Sequence, residues 1–271
     1  MKKSLTIIGL AAATLAGAQA QTILFSQDFS SGGTPATYVS ASPTTGQWNA
    51  ISTSGAAKAW SIVSNSLQIV STGANAAYAS RSTDFSSAPA VMKYAFTFNL
   101  SSSSTALTSA LDFAVGSGFG TTNSAETNAN TYAKFGINLT ATSGFTVRDI
   151  SGSSNGATTF GTGAQTLTWV ANNSGISTTY LAPDGSTESL ANDTWDLWVG
   201  SSRQLNDRAV TTAAQTITDF KFGAANNTST FTALFDDISI QSIPEPKTCA
   251  LFGIGFAFML WNLRRRRGFE G

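Results

Sequence analysis

The chain has 271 residues, 42% of them hydrophobic and only 11% charged, against roughly a quarter charged in an average soluble domain. Its apolar content excludes a disordered chain, and the absence of histidine excludes Ser-His-Asp and Cys-His nucleophile systems as well as His-ligated zinc. The formal net charge is zero, but residues 21–246 alone carry eight basic and fourteen acidic side chains, a net of −6, so nucleic acid is not an expected partner.

Met1-Lys2-Lys3 is a short basic start, followed by an apolar run from Leu5 to Leu15 and then Ala18-Gln19-Ala20. Small residues at Ala18 and Ala20 are what a signal peptidase reads. Residues 1–20 therefore predict a helical signal peptide, with Gln21 as the new N-terminus.

From Gln21 the pattern is short and alternating, with no convincing helix. Met92, Tyr94, Phe96, Phe98 and Leu100 alternate with Lys93, Ala95, Thr97 and Asn99, the signature of a half-buried strand. Further strands are expected over 23–29, 67–70, 111–115, 132–139, 144–148, 167–171, 195–199, 220–222 and 231–240. Clusters such as Ser153-Ser154-Asn155-Gly156 and Asn172-Asn173-Ser174-Gly175 punctuate them as turns. About a dozen strands with short turns imply an all-β antiparallel sandwich or barrel over residues 21–242. The low-complexity stretch from Gly116 to Asn130 predicts a mobile loop.

The opening Ile23-Leu24-Phe25-Ser26-Gln27-Asp28-Phe29, the Trp60–Ile69 segment and the closing Phe235-Asp236-Asp237-Ile238-Ser239-Ile240 resemble the jelly-roll sandwiches of lectin-like and carbohydrate-binding modules, of the concanavalin A-like or laminin G-like kind. That resemblance implies that the first and last strands pair. It does not fix a function.

Candidate chemistry is sparse. Glu188, Asp193 and Asp196 cluster around Trp195 and Trp198, but a glycosidase needs two carboxylates facing each other at a set spacing. The glutamates of the body do not form the Glu-x-Asp-x-x-Glu pattern of sandwich-fold glucanases. These acids read as solvated loop residues, and the chain is not expected to be an enzyme. Trp195 shares parity with Leu197 and Val199 and belongs to the core. Trp198, on the opposite face, is the candidate for an exposed aromatic that stacks on a sugar ring. Asp236 shares parity with Leu234, Ile238 and Ile240, which would place it on the core face. A carboxylate there needs a cation or several donors. One reading is a structural calcium held by Asp236 and Asp237; the other is a β-bulge that turns Asp236 outward, or a carboxylate bonded to backbone amides.

The end of the chain has three parts: Ile243-Pro244-Glu245-Pro246-Lys247-Thr248, an apolar run from Cys249 to Leu263, and Arg264-Arg265-Arg266-Arg267. The prolines keep their segment extended. The apolar run predicts a single membrane helix over 249–263, and the four arginines hold its far end in the cytoplasm. This tail, residues 243–271, resembles the PEP-CTERM sorting signal of Gram-negative bacteria, in which Pro244, Glu245 and Pro246 are the motif presented to the membrane enzyme exosortase. The family usually has Val and Ser where this chain has Ile243 and Lys247. The resemblance implies a protein exported across the cytoplasmic membrane, transiently anchored, then passed to the cell surface or exopolysaccharide matrix. Signal peptidase and exosortase are its implied partners. Two functions remain open for the body: a structural or adhesive surface protein without a catalytic site or cofactor, or a lectin-like module binding exopolysaccharide or other glycans, with calcium near Asp236.

Overall fold

Five apolar side chains of one strand, from Met92 to Leu100, point into the centre of the molecule with at most 1% of their surface exposed. The computed structural model describes residues 21–244. The expected cleavage residues Ala18 and Ala20, motif residues Glu245 and Pro246, the helix over 249–263 and Arg264 to Arg267 lie outside them. Among the described residues seventeen strands form, more than the dozen read from the pattern. In chain order the first are β1 (Thr22–Gln27), β2 (Ala50–Thr53), β3 (Lys58–Val63), β4 (Ser66–Ser71), β5 (Ala77–Arg81) and β6 (Val91–Ser103). Then come β7 (Leu107–Gly116), β8 (Thr131–Leu139), β9 (Phe145–Asp149), β10 (Ser154–Asn155), β11 (Gly163–Asn172) and β12 (Thr178–Leu181). The last are β13 (Thr187–Leu190), β14 (Thr194–Val199), β15 (Ser202–Ala209), β16 (Asp219–Ala224) and β17 (Phe231–Ser242). One short 3-10 turn, Pro35–Tyr38, interrupts them.

The strands make two antiparallel sheets. One runs β15-β14-β11-β6-β17-β4-β3 with β1 also on β17; the other runs β10-β9-β8-β7-β16-β5-β2. Their inner faces meet in a single core rich in aromatic pairs, such as Phe96 on Phe113 at 5.0 Å and Phe135 against Trp169 at 5.0 Å. The architecture is an all-β antiparallel sandwich, and the first and last strands pair as the jelly-roll resemblance implies, with Thr22 opposite Ser242 and Gln27 opposite Ile238.

Strand β17 organises its sheet. β6 follows one edge from Phe231 to Ser242, while β4 takes residues 231–235 of the other edge and β1 takes 238–242. Between them the register slips, and Asp237 adopts a φ of +48°. This bulge inverts the inward parity: Phe231, Ala233 and Phe235 are buried before it, Ile238 and Ile240 after it. Of the two readings of Asp236, the core-face placement is overturned and the bulge holds, because its extra residue shifts every side chain beyond it to the other face.

A second, smaller core lies on the outer side of the eight-stranded sheet. The β12–β13 hairpin brings Tyr180, Ala182 and Leu190 down onto Val170 and Trp198, with Val91 and Ile243 completing the cluster. Both cores are built from residues between Leu24 and Ile243.

Candidate functional site

The residues singled out from the pattern do not converge. Trp198 does lie on the face away from the main core, but the hairpin covers it and only 2% of it is exposed. Its indole N–H donates to the Tyr180 hydroxyl at 2.9 Å, and that hydroxyl donates to Asp196 at 2.6 Å. A covered, hydrogen-bonded indole offers no face to a sugar, so its reading as an exposed platform is corrected. Asp196 is not a solvated loop acid: it is fully buried, receives the Asp207 backbone N–H at 2.7 Å, and lies 3.6 Å from the Arg203 guanidinium. Burial holds its carboxyl above the usual carboxylate range. Glu188 pairs with Arg203 at 2.7 Å, and Asp193 receives the Asn192 side-chain N–H at 2.6 Å. Glu188, through Arg203 on β15, and Asp196, through Tyr180 on β12, join the hairpin to the edge of the sheet.

Asp236 is half-buried and Asp237 exposed. The Asp236 carboxylate accepts the Asp237 backbone N–H at 2.8 Å and the Ser66 hydroxyl at 3.3 Å. Among the described residues no three His, Cys, Asp or Glu side chains are grouped closely enough to hold a metal ion. At the termini of the body, Gln21 is exposed and Pro244 half-buried.

Of the five tryptophans among the described residues, Trp48, Trp169, Trp195 and Trp198 are buried, and Trp60 alone keeps part of its surface open. Trp60 sits on β3, the edge strand of one sheet, where the Ser54–Ala57 turn crosses to β2, the edge strand of the other. Its ring leans on the core residues Phe222 and Phe235, with centroids 6.1 and 6.3 Å away. Its indole N–H donates to the Ser52 carbonyl at 3.2 Å, which fixes the ring plane across the corner. The open side lines a cleft of about 440 Å³ with Pro35, Ile51, Ser52, Thr53 and the stem of Lys58. The Lys58 ammonium is turned away from it, donating to the Gly73 and Asn227 carbonyls at 2.9 and 3.0 Å. Burial lowers its proton affinity. Gly55 completes the turn because Asn75 packs where a side chain would begin: a Cβ there would lie 2.6 Å from the Asn75 amide.

The chemistry of this cleft is an aromatic edge and small apolar side chains beside hydroxyls and edge-strand backbone groups. Such a surface receives a C–H face of a ring-shaped polar ligand and hydrogen-bonds its rim. It carries no pair of facing carboxylates. Sequence reasoning counted Trp60 with Trp48, Trp169, Trp195 and Trp198 as tryptophans able to stack on a sugar ring, but preferred Trp198, because parity does not show which of them lies at the corner where the sandwich closes.

The stretch read as a mobile loop, Gly116 to Asn130, begins with the last residue of β7, and its remainder, 117–130, is tied to the outer face of the seven-stranded sheet. Glu126 meets the buried Lys221 ammonium of β16 at 2.7 Å, and Asn128 receives the Lys134 ammonium of β8 at 2.6 Å. The Phe119 backbone N–H donates to Asp219 at 2.8 Å. Asn123 receives the hydroxyl of Ser52 at 3.1 Å, so the loop also touches one wall of the Trp60 cleft.

No family model matches the chain, and no curated protein matches it. Solved structures do share its fold. A sialidase is similar at 13% identity and a TM-score of 0.53, over 82% of this chain and 19% of the sialidase, so the chain spans about a fifth of that protein's length. A conserved carbohydrate esterase from a Shiga toxin-encoding bacteriophage aligns at 14% identity and a TM-score of 0.49, over 83% of this chain and 100% of the other. The potassium-bound carbohydrate recognition domain of Emp46p aligns at 11% identity and a TM-score of 0.42, over 68% and 85%. At these identities the likeness shows the fold, an antiparallel β-sandwich of jelly-roll form, and nothing finer.

Proposed function

We propose that this chain is an exported protein of the cell surface or exopolysaccharide matrix whose sandwich body is a glycan-binding module, without catalytic activity, that contacts its ligand at the Trp60 cleft. The observation that carries the reading is Trp60 itself, an indole held rigid by the Ser52 carbonyl and left partly open beside hydroxyl and backbone groups. A locked aromatic loses little conformational freedom on binding and gives a flat apolar contact to a pyranose. The likeness to part of a sialidase supports a body that works on or near glycans. The acidic charge of residues 21–246 fits a neutral polysaccharide better than a polyanion.

Export and sorting rest on the two ends of the sequence. Signal peptidase would release Gln21, and exosortase would recognise Pro244-Glu245-Pro246 ahead of the apolar run and the arginines. Calcium is not part of the reading. Asp236 and Asp237 offer two carboxylates, and calcium takes six to eight oxygens.

The test is binding of the purified body, residues 21–244, to a panel of neutral and acidic polysaccharides, with and without chelator. Saturable binding that falls at least ten-fold in Trp60→Ala and persists in chelator is the expected result. A properly folded body that binds none of the panel would remove the glycan reading and leave a purely structural envelope protein. Sorting is tested separately, by replacing Pro244-Glu245-Pro246 with alanines in the full chain. The protein should then stay in the membrane fraction.

A further inference from the structure

Beneath the 117–130 loop lies a cavity of about 160 Å³, closed below by β7 and β8 and lined by Ser109, Asp112, Glu126, Lys134, Ile150 and Ala225. Small residues keep it open. Ala114 and Ala125 also line it, and beside it Gly136 stands where a Cβ would crowd the Ser109 hydroxyl at 3.2 Å and Ile150 at 3.3 Å.

The polar groups around it have unused capacity. Asp112 accepts the Tyr78 hydroxyl on Oδ2 at 3.1 Å, whereas its Oδ1 is buried and has no hydrogen-bond partner among the described residues. A buried acceptor without a donor is costly, and such a group in a cavity wall is one that a ligand donor satisfies. Lys134 gives one of its three N–H groups to Asn128. Glu126 takes both Lys221 and the Gly120 backbone N–H on Oε1, leaving Oε2 for another donor. The two carboxylates, Asp112 and Glu126, are balanced by the two ammonium groups of Lys134 and Lys221. The site therefore has no net charge with which to select an ion. Ile150 and Ala225 supply an aliphatic wall.

We propose that this cavity is a second binding site, distinct from the Trp60 cleft, that encloses one neutral hexopyranose unit between the loop and the sheet. Asp112 and Glu126 accept sugar hydroxyls, Lys134 donates to one, and Ile150 packs against the C–H face. The Glu126–Lys221 pair holds the loop over the bound ring. The proposal rests on the glycan-binding reading of the body but uses different residues, so the two fail independently.

The experiment is saturation-transfer NMR of the purified body with D-glucose, D-galactose and D-mannose. At least one of the three should bind saturably. Asp112→Asn and Ala114→Leu, which fills the cavity from its floor, should each weaken that binding at least ten-fold, whereas Trp60→Ala should leave it unchanged. Lys134→Met, at the rim, decides the matter if either of the first two variants does not fold. The proposal is overturned if none of the three hexoses binds, if binding survives the cavity variants, or if it disappears with Trp60→Ala. Hexose binding without polysaccharide binding would keep this site and remove the cleft.

Discussion

Glu126 and Lys221 meet at 2.7 Å across a separation of 95 residues, with side chains 9% and 1% exposed. The pair joins a low-complexity loop to the central region of the seven-stranded sheet. Removing one partner of a buried pair leaves the other charge uncompensated, at about 3–5 kcal/mol. Glu126→Gln should therefore lower urea stability by that order and open the 117–130 loop to limited proteolysis. Glu126→Gln combined with Lys221→Met removes both charges and should recover most of the lost stability. A single variant that unfolds at the wild-type urea midpoint would show that the pair does not anchor the loop.

Trp198→Ala should destabilise the body by about 3–5 kcal/mol, the usual cost of emptying a large buried aromatic site. It also leaves the hydroxyl of Tyr180 without its donor. Polysaccharide binding, measured at a temperature where the variant is folded, should not change. Loss of binding in a folded Trp198→Ala protein would return the ligand site to the hairpin side of the molecule.

Stability should decrease as pH rises from about 4 to about 7. Burial pushes the carboxyls of Asp112 and Asp219 up to about 6. Between the unfolded value near 3.8 and 6, the folded protein holds protons that the unfolded chain has already released, so acid favours the fold. Above 6 both carboxylates are charged in either state, and the folded protein bears the full cost of burying them. Below about 4 both states are protonated, and these two groups stop contributing to the slope. Thermal melting should give a higher Tm at pH 5 than at pH 7.5. Asp112→Asn should flatten that difference, and a pH-independent Tm would contradict the assignment.

Asp237 occupies the left-handed region, where most side chains are strained by about 1–2 kcal/mol. Asp237→Gly should leave stability within about 1 kcal/mol of the parent or raise it, because glycine enters that region freely. Asp237→Val should lower it by about 1–2 kcal/mol, since a branched Cβ tolerates that backbone poorly. Adding calcium to the parent protein should leave the Tm unchanged; a rise that chelator reverses would restore a cation to Asp236 and Asp237.

Much of the fold could be read from alternation, and most of the site could not. The inward row from Met92 to Leu100 and the core place of Trp195 follow from a period of two, because each of those strands has one face on the main core. Trp198 has the parity expected of it, but what covers it is a polar hairpin, Thr178–Leu190, that shows no strong alternation of its own. β15, with the sequence Ser-Arg-Gln-Leu-Asn-Asp-Arg-Ala, is an edge strand whose solvated face hides its period. Parity alone puts Asp236 on the core face and a bulge turns it outward; the structure shows the bulge, and a local pattern does not tell a bulged strand from an unbroken one. The Glu126–Lys221 pair and the Trp60 corner depend on contacts between distant segments, which local periodicity does not encode.

The pairing of β17 has a mechanical consequence. Its last residues lead directly to Pro244, and it lies between β6 on one side and β4 and β1 on the other. A pull on Pro244 acts along the strand axis, so the hydrogen bonds on both edges are loaded together in shear instead of being peeled apart singly. The force then passes sideways through β4 to β3, the strand that carries Trp60. A body gripped at that corner and held by its C-terminal end would resist extension with both paired edges of β17 at once.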